Sequence, residues 1–90
     1  MSDEEVITDL VAVKGIGRWT AEMILIFSLG RLDVLPADDL GVKKGLQKVY
    51  GLRKLPSPDR MKEIAAAWKP YRTIGTWYMW KAMDAPPPIE

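Results

Sequence analysis

The turn Lys14-Gly15-Ile16-Gly17, set between two segments of helical apolar spacing, constrains this chain more than any other feature. Before it, Ser2 and Glu5 form a capping-box pattern, and Val6, Ile7, Leu10 and Val11 recur at three- and four-residue spacing. That spacing predicts a helix from Asp3 to about Val13. After the turn, Ala21, Ile24, Leu25 and Ser28 share a stripe, while Met23, Ile26 and Phe27 fill most of the remainder. A second helix over Trp19 to Leu29, ended by Gly30, is expected, with Lys14 to Arg18 as the hairpin. A helix apolar on nearly every side must be buried by other elements. Two glycines around one apolar residue let a turn approach another backbone closely, and a helix starting just after them aims free N–H groups and a positive dipole outward. Such a turn is either a plain helix connection or a seat for a phosphate.

Downstream, Arg31 to Ala37 reads as a connector, since Pro36 and the short Leu-Asp-Val-Leu run carry no helical period. Asp38 or Asp39 caps a third helix that carries Val42, Leu46, Val49 and Tyr50 on one side and ends at Gly51. Ser57-Pro58 opens a fourth helix with Met61, Ile64, Ala65 and Trp68 along its face. Pro70 restarts the chain into a fifth, where Thr73, Thr76, Trp77 and Trp80 share a stripe. Residues 85-90, with three consecutive prolines, are expected to form an extended Pro-rich tail. The expected fold class is all-α: about five helices over 1-84, with a helix-hairpin-helix motif at about 3-29.

Lys plus Arg number 13 against 12 for Asp plus Glu, so bulk charge neither announces nor excludes a nucleic-acid partner. The absence of cysteine and histidine excludes disulfides, a thiolate nucleophile and a Cys/His zinc site. The N-terminus, Ser2-Asp3-Glu4-Glu5, is acidic where a secretory signal needs positive charge, and the apolar run Met23 to Phe27 is too short to span a bilayer. A cytoplasmic location is expected. Four tryptophans belong in the core by default, Trp68 and Trp77 being the candidates for that role.

Three words stand in order over roughly residues 8 to 81: Gly15-Ile16-Gly17-Arg18-Trp19-Thr20-Ala21-Glu22, Pro36-Ala37-Asp38-Asp39-Leu40-Gly41, and Trp68-Lys69-Pro70-Tyr71-Arg72 with Trp77-Tyr78-Met79-Trp80. In these words the chain resembles the helix-hairpin-helix (HhH-GPD) DNA glycosylase superfamily, and within it the 3-methyladenine DNA glycosylase II group, of which it covers the C-terminal half. The resemblance implies base-excision repair: hydrolysis of the N-glycosidic bond of an alkylated purine flipped out of double-stranded DNA. Strand-cutting members carry a lysine in the hairpin's second helix, and Trp19 stands there instead, so hydrolysis by water without strand cleavage is implied.

The resemblance also assigns roles. Asp39 is the catalytic carboxylate, countering positive charge that builds on the deoxyribose as the base departs, which leaves Asp38 to the cap. Trp19, Trp80, Met23 and Leu40 line the base pocket, where an indole face attracts electron-poor or cationic methylated purines. Gly15, Ile16, Gly17, Arg18 and Thr20 meet the DNA backbone. Lys43, Lys44 and Lys48 are either a solvated face or, Lys43 foremost, further phosphate contacts. Carbonyls of Val11, Val13 and Ile16 correspond to those that hold a monovalent cation in the family. No other cofactor is implied, and the iron–sulfur cluster of some members is excluded by the missing cysteines. Complete domains of the family carry further helices upstream, so the implied partners besides DNA are a complementing upstream half or a second copy in a homodimer. A rival from another class is a non-enzymatic helix-hairpin-helix DNA-binding module whose aspartates only cap a helix, or a half-domain that acts only with its partner.

Overall fold

In the computed structural model, which describes residues 1–13 and 15–84, five α-helices and one 3-10 turn form an all-α fold. Lys14 and the expected Pro-rich tail over 85-90 lie outside the described residues. The helices are α1 (Asp3–Val11), α2 (Arg18–Phe27), α3 (Leu40–Tyr50), α4 (Pro58–Ala65) and α5 (Arg72–Asp84), with the 3-10 turn Ala66–Trp68 extending α4.

The helix ends follow from local chemistry. The Ser2 capping box forms in both directions: Glu5 N–H donates to Ser2 Oγ at 3.1 Å, and Ser2 N–H donates to Glu5 Oε1 at 3.0 Å. Helix α1 stops at Val11, short of the expected Val13, because Val13 N–H turns back to Leu10 O at 3.0 Å and tightens the chain into the hairpin. Gly17, extended at φ −92°, caps α2 without a side chain, so the helix starts one residue earlier than expected, at Arg18. It ends at Phe27 rather than Leu29. Gly30, at φ +62°, lets Arg31 N–H reach Leu25 O at 2.9 Å, a left-handed closure that a side chain would strain.

The cap of α3 is Asp39 alone. Asp39 N–H donates to Pro36 O at 3.0 Å, and this turn leaves Asp39, not Asp38, in the extended conformation from which a side chain reaches the first helical amides. Asp38 is exposed and is not the cap.

Packing yields two apolar clusters. Ile7, Ala21, Leu25, Ile26 and Val34 form one, around the α1–α2 hairpin. Val42, Leu46, Met61 and Met79 form the other, among α3, α4 and α5. Trp80 packs against both. Helices α3 and α5 approach closely at Gly45, where an added Cβ would lie 2.5 Å from Met79 O. Trp68 packs against the second cluster as expected. Trp77 does not join the core and is 53% exposed, because the buried stripe of α5 runs through Thr73, Thr76 and Met79, a turn of about 100° away from it. Helix α2 is likewise covered on one side only, leaving Trp19 50% and Phe27 66% exposed.

The connector between the hairpin and α3 is sewn to α5. The Thr73 hydroxyl donates to Arg31 O at 2.8 Å and accepts from Val34 N–H at 2.8 Å, while Thr73 N–H donates to Leu32 O at 2.9 Å. Arg72 grips Asp33 through Nε at 2.7 Å and Nη2 at 3.1 Å. These bonds fix where the chain re-enters at Pro36, and so where Asp39 sits.

Candidate active site

The Asp39 carboxylate is the meeting point of three elements. Its Oδ1 accepts the Trp19 indole N–H at 2.6 Å, from the first turn of α2. Its Oδ2 accepts the Trp80 indole N–H at 2.8 Å, from α5, and the Val42 amide N–H at 2.9 Å, from α3. Asp39 is 9% exposed, and burial, the largest single influence, works against its charge. The donors from Trp80, Trp19, Val42 and Gly41 together outweigh burial and hold the carboxyl below its usual value of 3.8. A buried carboxylate that stays ionised can stabilise positive charge developing nearby.

Beside it opens a cleft of about 470 Å³ lined by Trp19, Met23, Phe27, Asp39, Gly41, Trp80 and Met83. The volume and apolar lining, with one charged group, suit a small planar ligand. Gly41 permits this closeness: an added Cβ would lie 3.1 Å from both Asp39 Oδ2 and Trp80 Cδ1.

Of the expected pocket residues, Trp19, Trp80 and Met23 are brought together around Asp39. Leu40 is not. Its side chain is 54% exposed and off the cleft, because residue 40 opens α3 and projects away from the cap. Phe27 and Met83 take its place, and the pattern held a signal for both: Phe27 continues the i, i+4, i+8 row of Trp19 and Met23, and Met83 follows Trp80 by three.

At the hairpin, Gly15, Gly17 and Thr20 are exposed, and an added Cβ at either glycine meets nothing within 4 Å among the described residues. Among the described residues, no side chain caps the first amides of α2. Ile16 leans on the hairpin cluster. Arg18 points elsewhere: its Nη2 lies 2.6 Å from Glu4 Oε1, and its Nε lies 3.6 Å from Glu22 Oε2. Lys43 is half-buried one turn into α3, and Lys48 donates to Ala82 O at 3.1 Å. The carbonyls of Val11, Val13 and Ile16 are hard oxygen donors of the type a cation takes, and Val13 O accepts Ile16 N–H at 3.1 Å with one of its two lone pairs.

Behind the site, Glu22 is 3% exposed, and among the described residues its Oε1 has no hydrogen-bond partner. Burial is the main influence on it and pushes the carboxyl up to about 7 against the pull of Arg18, with Asp38, Glu4 and Asp39 adding repulsion. Sequence pattern gives no hint of this, since a glutamate at i+4 from an arginine ordinarily marks a solvated helix face.

No protein-family model matches the chain. It is 47% identical over 81 residues to DNA-3-methyladenine glycosylase 1 of Schizosaccharomyces pombe, covering 90% of this chain and 36% of that protein. It is 44% identical over 81 residues to the alkylbase DNA glycosidase-like protein mag2 of the same yeast, covering 90% and 38%. The solved structure of the S. pombe 3-methyladenine DNA glycosylase in complex with abasic DNA superposes with a TM-score of 0.90 at 42% identity, over 100% of this chain and 44% of that one. The chain thus spans less than half the length of these relatives. In sequence and in fold the chain is similar to a part of these 3-methyladenine DNA glycosylases.

Proposed function

We propose that the chain carries the base-excision half of a monofunctional DNA glycosylase, hydrolysing the N-glycosidic bond of alkylated purines of the 3-methyladenine kind without cutting the strand. One observation carries this reading: Asp39, buried yet ionised by two indole N–H donors, stands at the edge of an open cleft walled by aromatic rings. A flipped base seated in that cleft brings its sugar to the carboxylate. The negative charge then lowers the energy of the oxocarbenium-like sugar as the base departs, and water completes the hydrolysis. Methylated purines bear positive charge or low electron density, which aromatic walls favour.

Double-stranded DNA is gripped in this reading by the uncapped amides after Gly15 and Gly17, aided by Thr20 and Lys43, with a monovalent cation at the carbonyls of Val11, Val13 and Ile16. Arg18 joins only on leaving Glu4 and Glu22. The exposed rim of the cleft, Trp19 and Phe27, is completed by an upstream half or by a second copy. The work is done at DNA in the cytoplasm.

The test is release of free methylated purine from alkylated duplex DNA. It is run with the chain alone and with the upstream portion of the S. pombe glycosylase supplied in trans, each beside Asp39→Asn. Release should fall about 100-fold or more in the variant, the size of effect expected when a preorganised electrostatic partner is lost. Equal release from both proteins would remove Asp39 from the chemistry. Binding to abasic duplex without release in either format would overturn the enzymatic reading in favour of a DNA-binding module.

A further inference from the structure

Trp80 lines the cleft and is firmly held there. It packs against both apolar clusters, its N–H is held by Asp39 Oδ2 at 2.8 Å, and Gly41 lies against its Cδ1 edge. On the cleft side, the ring of Phe27 already lies nearly parallel to it, with centroids 5.8 Å apart and planes at 12°. This is the offset stack that a planar aromatic ligand adopts on an indole.

Phe27 is the least secured of the cleft residues. It is 66% exposed, more than any other side chain lining the cleft. It is also the last residue of α2, followed by the turn that Gly30 closes, so its backbone has no further helix to brace it. Trp80 is the opposite case, fixed on three sides. When a ring enters the cleft, Phe27 is the one that gives way.

We propose that Phe27 is the gate of the base pocket: in the free protein its ring stacks on Trp80, and an extrahelical purine that stacks on this indole beside Asp39 displaces it. This rests on reading the cleft as a base pocket. The gate takes the same amount from every base, charged or neutral, because the stack broken is the same in each case. It therefore sets a threshold without changing the preference among bases. A purine that gains only ordinary stacking recovers little more than was lost, whereas one with added cation–π attraction enters with a surplus.

The experiment titrates adenine and 3-methyladenine, as free bases, into the wild-type chain, Phe27→Leu and Phe27→Tyr, following the tryptophan indole N–H signals by NMR. Phe27→Leu keeps apolar volume and removes the ring, and the position is exposed, so the fold is retained. Affinity should rise about three- to tenfold in Phe27→Leu for both bases by the same factor, and stay unchanged in Phe27→Tyr, as expected for one aromatic stack removed or kept. Affinity in Phe27→Leu that is unchanged or weaker while both proteins still bind would overturn the gate and leave the base pocket standing. Absence of binding of either base to all three proteins would overturn the base-pocket reading and the gate with it.

Discussion

The Trp19 indole N–H donates to Asp39 Oδ1 at 2.6 Å, so the carboxylate proposed for catalysis is also the joint between the hairpin and the three-helix unit. Asn at position 39 offers one acceptor oxygen where Asp offers two. Whichever way its amide turns, an NH₂ group faces the N–H of Trp19 or those of Trp80 and Val42. Asp39→Asn is expected to lose about 1–3 kcal/mol of stability by urea denaturation, through unmade buried hydrogen bonds. A variant as stable as wild type would mean that the indole bonds contribute nothing to docking.

Glu22 sets a pH dependence of stability. Its carboxyl titrates near 7 when folded against 4.5 as the ordinary value, so the folded state holds the proton more tightly than the unfolded one. The contribution is therefore fully present below 4.5 and is lost as pH rises through about 7. Between those limits it amounts to roughly 3 kcal/mol. Glu22→Gln removes it, so denaturation midpoints of wild type should fall more steeply than those of the variant between pH 4.5 and 8. Parallel slopes would show that Glu22 is ionised throughout.

Gly45→Ala places a methyl 2.5 Å from Met79 O and 2.8 Å from Met79 Cβ, against helix backbone that cannot step aside. A loss of about 1–3 kcal/mol is expected despite the better helix propensity of alanine. At Gly75 the obstruction is the Trp68 ring, 2.3 Å from an added Cβ, and a side chain can rotate away. Gly75→Ala should therefore cost less than Gly45→Ala in thermal unfolding, and the reverse order would show that the α3–α5 approach is slack.

Gly17→Ala separates binding from folding. An added Cβ there meets nothing within 4 Å among the described residues, so stability should change by no more than about 1 kcal/mol, the scale of an N-cap substitution. If the amides of this turn grip phosphate, affinity for duplex DNA should drop about tenfold, with the drop shrinking as salt is raised. Unaltered affinity would assign the grip elsewhere on the surface.

Much of this arrangement was legible in the sequence, and the misses have physical causes. Helices announced themselves by period and caps, as at Ser2, Ser57 and Gly51, because these are local decisions. The choice of Asp39 over Asp38 as cap rests on the turn bond from Asp39 N–H to Pro36 O, which two adjacent aspartates do not reveal by residue type. The capping role and the proposed catalytic role, which looked like tasks for two aspartates, fall on one. Trp77 lies a single helical step from the buried stripe of α5, and a 100° rotation per residue turns that step into the difference between inside and outside. The orphaned oxygen of Glu22, the Phe27 stack and the Thr73 bonds to the connector depend on which distant segments meet, and no window of sequence contains that information.

Trp80 touches both apolar clusters while holding the Asp39 carboxylate. Maturation of the acid is thereby welded to assembly of the architecture: a chain whose hairpin has yet to dock leaves that aspartate hydrated, half-tethered and chemically ordinary. Any lesion that loosens the junction, however remote from the rings themselves, will register as an electrostatic defect before it registers as unfolding.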